Sequence, residues 1–217
     1  MKKNFILILA VAIFSGGAFF ARAPLSVVRA GTGDNVSGWA WSETIGWISF
    51  NCTNTGTCGS VDYGVNIDQQ GNFVGYAWSD NIGWIQFNPV GPYPSQPNTS
   101  AKLNVGNNEV SVWARAVASS GGWDGWIKLR KHGSDGGGVP DYGVSVNPAT
   151  GEFLGFAWGS TVVGCLSFNC QDTGSCVQSN YKVVTSPSLF NQPPSTPPGS
   201  LQITPSNSAD YCGITAF

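Results

Sequence analysis

The chain has 217 residues, 41% of them hydrophobic and only 10% charged, with 29 glycines and 9 tryptophans. Disorder goes with scarce apolar residues and is excluded, and this much Gly, Asn, Ser, Thr and Trp excludes a helix-rich fold. The formal net charge of −2 becomes more acidic once the first segment is set aside.

Residues 1–30 read as an export signal. Lys2 and Lys3 precede an apolar run from Phe5 to Phe20, and Val28-Arg29-Ala30 offers a cleavage site before Gly31. Ala21-Arg22-Ala23 has a similar form, but Pro24 follows it. Cleavage after Ala30 removes four of the ten bases and none of the twelve acids, which leaves six against twelve. Such a chain is a poor partner for nucleic acid or an anionic membrane. No later apolar stretch reaches the roughly 18 residues that span a bilayer. No transmembrane span is expected after signal cleavage; an uncleaved signal acting as an anchor is the competing reading.

Residues 31–186 repeat themselves four times. Gly38-Trp39-Ala40-Trp41-Ser42 is followed by Gly46-Trp47-Ile48-Ser49-Phe50-Asn51, and Gly75-Tyr76-Ala77-Trp78-Ser79 by Gly83-Trp84-Ile85-Gln86-Phe87-Asn88. A weaker third copy pairs Val112-Trp113-Ala114-Arg115-Ala116 with Gly125-Trp126-Ile127-Lys128-Leu129. The fourth pairs Gly155-Phe156-Ala157-Trp158-Gly159 with Gly164-Cys165-Leu166-Ser167-Phe168-Asn169. Between copies runs a third piece: Tyr63 to Asp68, Ala101 to Val105, Tyr142 to Asn147 and Tyr181 to Val184. Short aromatic and β-branched runs between turn formers are strands, about three per copy and twelve in all, linked mostly as an antiparallel meander. Alternation sets Ile48 and Phe50 on one face and Trp47 and Ser49 on the other, and large groups occur on both faces. The expected fold is all-β, with repeat sheets stacked face to face over their tryptophans. It closes as a propeller-like ring or stays open as a solenoid-like stack, and the repeat length favours the ring.

The pattern G-[aromatic]-A-W-S-x-x-I-G-W-I-x-F-N, then Y-G-V-x-I-D, resembles repeats of exported proteins of uncultured, ultrasmall candidate-phylum bacteria. Trp123-Asp124-Gly125-Trp126-Ile127-Lys128 is similar to a variant copy in that family. The resemblance spans roughly residues 36–186. It implies export, a cell-surface setting and no assigned activity, often with immunoglobulin-like or fibronectin-like modules further along. Cys165 and Leu166 depart from it, standing where tryptophan and isoleucine are usual.

Six cysteines in an exported chain point to disulfides. Cys52 and Cys58 have five residues between them, as do Cys170 and Cys176, and each pair follows a Phe-Asn strand end. Each is expected to staple its own loop, and Cys165 is left to pair with Cys212. Zinc is the alternative, but C-x5-C spacing without histidine fits structural zinc poorly. Residues 187–200, with five prolines, read as a stiff linker. Residues 201–217 read either as the first strand of an immunoglobulin-like module or as a tail held by Cys212.

Little in the chain promises catalysis. His132 lies in a glycine-rich stretch without the rigid partners a triad needs. Gly136 to Gly138 show no strand-to-helix phosphate cradle. Most acids sit at turns, where capping explains them. A calcium site at Asp135 and Asp141 lacks recognisable spacing. No metal, cofactor or catalytic residue is expected; a glycoside hydrolase with an unrecognised acid pair is the remote alternative. Burial between sheets accounts for eight tryptophans. Trp123, in a loop with Asp124 and near Lys128 and Arg130, is the candidate ligand contact. The functional expectation is a secreted or cell-surface, non-enzymatic repeat protein with a structural or adhesive role. Its partner would be an extracellular polymer or protein. The alternative is a carbohydrate-binding module using exposed aromatics.

Overall fold

The computed structural model describes residues 33–119, 121–135 and 141–190. Fourteen strands form among the described residues. They are β1 (Val36–Ser42), β2 (Gly46–Ser49), β3 (Val65–Ile67), β4 (Phe73–Ser79), β5 (Gly83–Gln86), β6 (Lys102–Asn104) and β7 (Glu109–Ser111). There follow β8 (Trp113–Ala116), β9 (Trp126–Lys128), β10 (Arg130–Lys131), β11 (Tyr142–Val146), β12 (Phe153–Trp158), β13 (Cys165–Ser167) and β14 (Val183–Thr185). All named strand pairs are antiparallel, and the order β1-β2-β4-β5-β8-β9-β12-β13 returns to β1 as a closed eight-stranded barrel.

The remaining strands share the positions of that ring. β2 lies between β1 and β4, and β3 lies between the same two strands nearer their starts. β9 and β11 stand in the same relation to the β7–β8 segment and β12. The Asn72↔Lys102 and Glu152↔Val184 bridges place β6 beside the start of β4, and β14 beside the start of β12. Four long strand positions thus alternate with four in which the chain leaves the wall midway, loops over the outside and re-enters the same gap. In the third copy the long position is itself split at Val112 into β7 and β8.

This arrangement differs from stacked repeat sheets. Successive copies join edge to edge through backbone hydrogen bonds, which among the described residues leaves one wall, one inside and no open edge in the eight-stranded ring. Inward positions carry the core: Ala40, Ile48, Phe50, Val65, Phe73, Ala77, Ile85, Ile127, Val144, Phe153, Ala157, Leu166 and Phe168 are all buried in one cluster. The register sets a small residue opposite a large one, with Ala40↔Ile48, Ala77↔Ile85, Ala114↔Ile127 and Ala157↔Leu166. An interior of eight strands is just wide enough for such filling. Phenylalanines meet at its centre, Phe50 with Phe87 at 5.3 Å and with Phe168 at 5.7 Å between ring centroids.

Glycine makes the close strand contacts possible. A Cβ on Gly38 (φ +90°) would sit 2.0 Å from the Lys182 carbonyl oxygen, and one on Gly75 (φ +95°) 2.2 Å from that of Gly64. At the end of the domain, Pro187–Leu189 forms a 3-10 turn, and Leu189 and Phe190 pack against the barrel core. The export signal, residues 191–200 of the linker and the 201–217 tail lie outside the described residues. No helix among the described residues is long and apolar enough to cross a membrane.

Candidate functional site: an aromatic cleft on the outer wall

With aliphatic and phenylalanine side chains turned inward, alternation sends the indoles outward. Trp41 lies opposite Trp47 with ring centroids 4.5 Å apart, and Trp78 opposite Trp84 at the same distance. The corresponding pairs are Arg115↔Trp126, where the guanidinium carbon lies 4.8 Å from the ring centroid, and Trp158↔Cys165. One step along each long strand, Trp39 meets Trp47 edge-on at 6.3 Å and Tyr76 meets Trp84 at 6.4 Å.

The excursion loops settle how far these rings are covered. In the third copy, the chain between β5 and β6 brings Tyr93 to 5.3 Å from Trp126, and Trp113 Nε1 donates to Ser95 O. Trp113 and Trp126 are each only 7% exposed. In the first two copies Trp47 at 42% and Tyr76 at 38% are exposed, and Trp39, Trp41, Trp78 and Trp84 are half-buried. Burial between sheets therefore does not account for the tryptophans. Among them only Trp113 and Trp126 are fully buried, because only there does a loop close over the outer wall.

Two clefts result. One of about 360 Å³ is lined by Trp39, Trp47, Trp78, Trp84 and Tyr63, with Thr55, Thr57, Val61 and Asp80 among its walls. The other, about 270 Å³, lies against Trp39, Trp47, Ser179, Asn180 and Tyr181. Trp78 Nε1 donates to Asp80 Oδ1 at 2.8 Å, which fixes that indole at the rim. Tyr63 meets the edge of Trp84 at 5.2 Å, and Tyr181 meets Trp47 in the same manner at 5.4 Å.

The loops bearing these walls are pinned alike. Disulfides join Cys52 to Cys58 and Cys170 to Cys176, as their spacing implies. Tyr63 and Tyr181 donate their hydroxyls to Ser49 Oγ and Ser167 Oγ, each at 2.8 Å. Asn51 and Asn169 cap the turns that follow. Asn54 accepts from Gly38 N–H and donates to Gly38 O, and at the matching position Asp172 accepts from Gly155 N–H at 2.8 Å. Burial pushes the Asp172 carboxyl up to about 6, against the opposing pull of its hydrogen bonds. Cys52, Cys58 and Asp62 bring three possible metal-ligand atoms together, but the two sulfurs are bonded to each other and not free to ligate. Cys165 is not a free thiol, and Cys212 lies outside the described residues.

The residues singled out from the sequence do not gather as an exposed patch. Trp123 is half-buried against the barrel core, and its Nε1 is buried without a hydrogen-bond partner. Asp124 serves its own hairpin, accepting from Trp126 N–H and, through its backbone oxygen, from Arg115 Nε. Lys128 is buried, pairs with Asp135 at 2.9 Å and lies over the Trp113 ring. That lysine holds the Asp135 carboxyl below the usual range. Arg130 pairs with Glu109 at 3.2 Å and donates to Val110 O and Val144 O. These cations are used within the fold, Lys128 on Asp135 and Arg130 on Glu109 and two strand carbonyls. Trp39, Trp47, Trp78 and Trp84, expected from the sequence to be buried between sheets, line the cleft on the outer wall instead; the sequence signal for this is the alternation that sets Trp47 and Trp84 on the face opposite Ile48 and Ile85.

Comparison with protein-family models, curated proteins and solved structures finds no match for the chain.

Proposed function

We propose that the protein is an exported, non-enzymatic binding barrel that holds a neutral carbohydrate in its outer aromatic cleft and so serves an adhesive role at the cell surface. The observation that carries this reading is the cleft lined by exposed Trp47 and half-buried Trp39, Trp78 and Trp84 beside hydroxyl and carboxylate groups. Indole faces take the apolar faces of sugar rings, while Thr55, Thr57 and Asp80 supply polar partners. The lining has no basic side chain, which disfavours phosphate or other anionic ligands. It has one carboxylate, Asp80, where glycoside hydrolysis uses two, which supports binding without turnover. Loop disulfides and the export signal suit an oxidising, extracellular setting. The resemblance to exported candidate-phylum repeat proteins supports the same setting.

The test is calorimetry and pull-down against cellulose, chitin and other neutral glycans, with Trp47→Ala and Trp84→Ala beside the native protein. Each substitution should weaken binding at least about 10-fold, as truncating a central aromatic anchor does. Binding unaffected by both, or no binding to any glycan, overturns the proposal.

A further inference from the structure

The two clefts share one wall. Trp39 and Trp47 belong to both, and each cleft is also lined by a tyrosine that is held by a serine and lies five residues beyond a disulfide-closed loop: Tyr63 in one, Tyr181 in the other. The line from Tyr181 through Trp47 to Trp84 crosses the strands, since β14, β1, β2, β4 and β5 follow one another around the wall. Neighbouring strands lie about 4.8 Å apart, so the line is long enough for several linked rings. Its ends are fixed by sequence: beyond Trp84 the third copy is shut by Tyr93, and before Trp47 the fourth copy has Cys165 in place of an indole.

Resting on the carbohydrate reading above, we propose that the two clefts are one continuous site for a linear, neutral polysaccharide chain. The Trp39–Trp47 pair is its midpoint, and Ser179, Asn180 and Tyr181 form its far end. A linear glycan repeats an apolar face and a hydroxyl edge at a regular interval, and corresponding rings on successive copies meet that repetition. Each cleft alone is near the lower limit of the roughly 300–1,000 Å³ common for small-ligand sites, and the pair together is well within it. Ser179 and Asn180 offer a hydroxyl and an amide, groups suited to sugar hydroxyls and indifferent to charge.

The experiment measures affinity by calorimetry for cello- and chito-oligosaccharides from disaccharide to hexasaccharide, with the native protein and a Ser179→Ala/Asn180→Ala variant. Affinity should climb with chain length in the native protein. In the variant, the hexasaccharide-to-disaccharide affinity ratio should fall about 10-fold, the loss expected for a pair of hydrogen bonds at the far end. The altered side chains lie in a surface loop, and an unchanged unfolding midpoint confirms that the barrel is intact. A hexasaccharide bound no tighter than a disaccharide, or a ratio untouched in the variant, overturns the continuous site while leaving the carbohydrate reading in place. Failure of every length to bind overturns both.

Discussion

Replacing Asp172 by asparagine should make the protein more stable at neutral pH and flatten its response to pH. In the native chain the Asp172 carboxylate accepts from Gly155 N–H at 2.8 Å, Asn169 N–H at 3.0 Å and Ser167 Oγ at 3.1 Å. Burial outweighs these bonds and raises the group from 3.8 to about 6. Because the folded state holds this proton more tightly than the unfolded chain, its contribution is fully present below about pH 4. It is lost as pH rises through about 6. The gap amounts to roughly 3 kcal/mol, and partial solvent access trims it to about 2 kcal/mol. Asparagine carries no such cost, and the first copy shows how it fits: Asn54 Nδ2 donates to Gly38 O at 2.6 Å and to Ser49 Oγ at 3.0 Å. Chemical denaturation of native and Asp172→Asn proteins between pH 4 and 8 should therefore give near-equal stabilities at the acid end. At pH 7 the variant should be about 2 kcal/mol more stable, or roughly 4–8 °C in Tm for a domain of this size. Asp135 does not confuse the comparison, since Lys128 holds it low in both proteins and its loss falls below this range. A variant less stable at pH 7, or with the native pH slope, would refute the account of Asp172 as a buried carboxyl filling an asparagine's place.

Three further outcomes follow from the same geometry. Cys52→Ser/Cys58→Ser should lower stability by about 2 kcal/mol on the chain-entropy argument for a seven-residue loop. It should also weaken glycan affinity, since Thr55 and Thr57 on that loop line the cleft; urea midpoints and calorimetry measure the two effects separately. Phe50→Ala, which empties a fully buried site between Phe87 and Phe168, should cost about 3–5 kcal/mol by urea denaturation, and a loss below 1 kcal/mol would mean that the barrel centre is not packed as described. Gly75→Ala puts a methyl 2.2 Å from the Gly64 carbonyl oxygen at a positive φ, and should cost more than about 1 kcal/mol in the same assay, whereas a neutral effect would contradict the close approach of β3 to β4.

Much of this fold is written in short-range pattern. The strand segments, the grouping of Ile48 with Phe50 and of Ile85 with Phe87 on one face, and the two local disulfides all follow from alternation and spacing within one copy. The choice of which face turns inward does not, because both faces carry large groups. That choice depends on pairings such as Ile48↔Ser79 and Ile85↔Ala116 between one copy and the next, and on β13 returning to β1. Lys128 and Arg130 looked like surface cations beside a glycine-rich loop, and their partners Asp135 and Glu109 sit in segments with no repeat signal. Tyr93 likewise comes from a stretch unlike its counterparts in the other copies, so nothing local marks Trp126 as covered and Trp47 as open.

That difference between copies bears most directly on what the outer wall is for. An eight-stranded barrel has room inside for phenylalanine and aliphatic side chains, so the indoles have to face outward, and a loop can then cover them or leave them bare. The third copy shows that covering is within reach of this sequence, for Tyr93 and its loop bring Trp113 and Trp126 to 7% exposure. Extending such a cover over Trp47, 42% exposed, would remove on the order of 80 Å² of aromatic surface from water and stabilise the fold by roughly 2 kcal/mol. Instead, the loops of the first and fourth copies, each stapled by its own disulfide, stand to either side of Trp47 and hold the clefts open. Loops that leave an apolar ring uncovered forgo that stabilisation, and the gain on the other side of the balance is a preformed surface that a ligand can occupy without first ordering it.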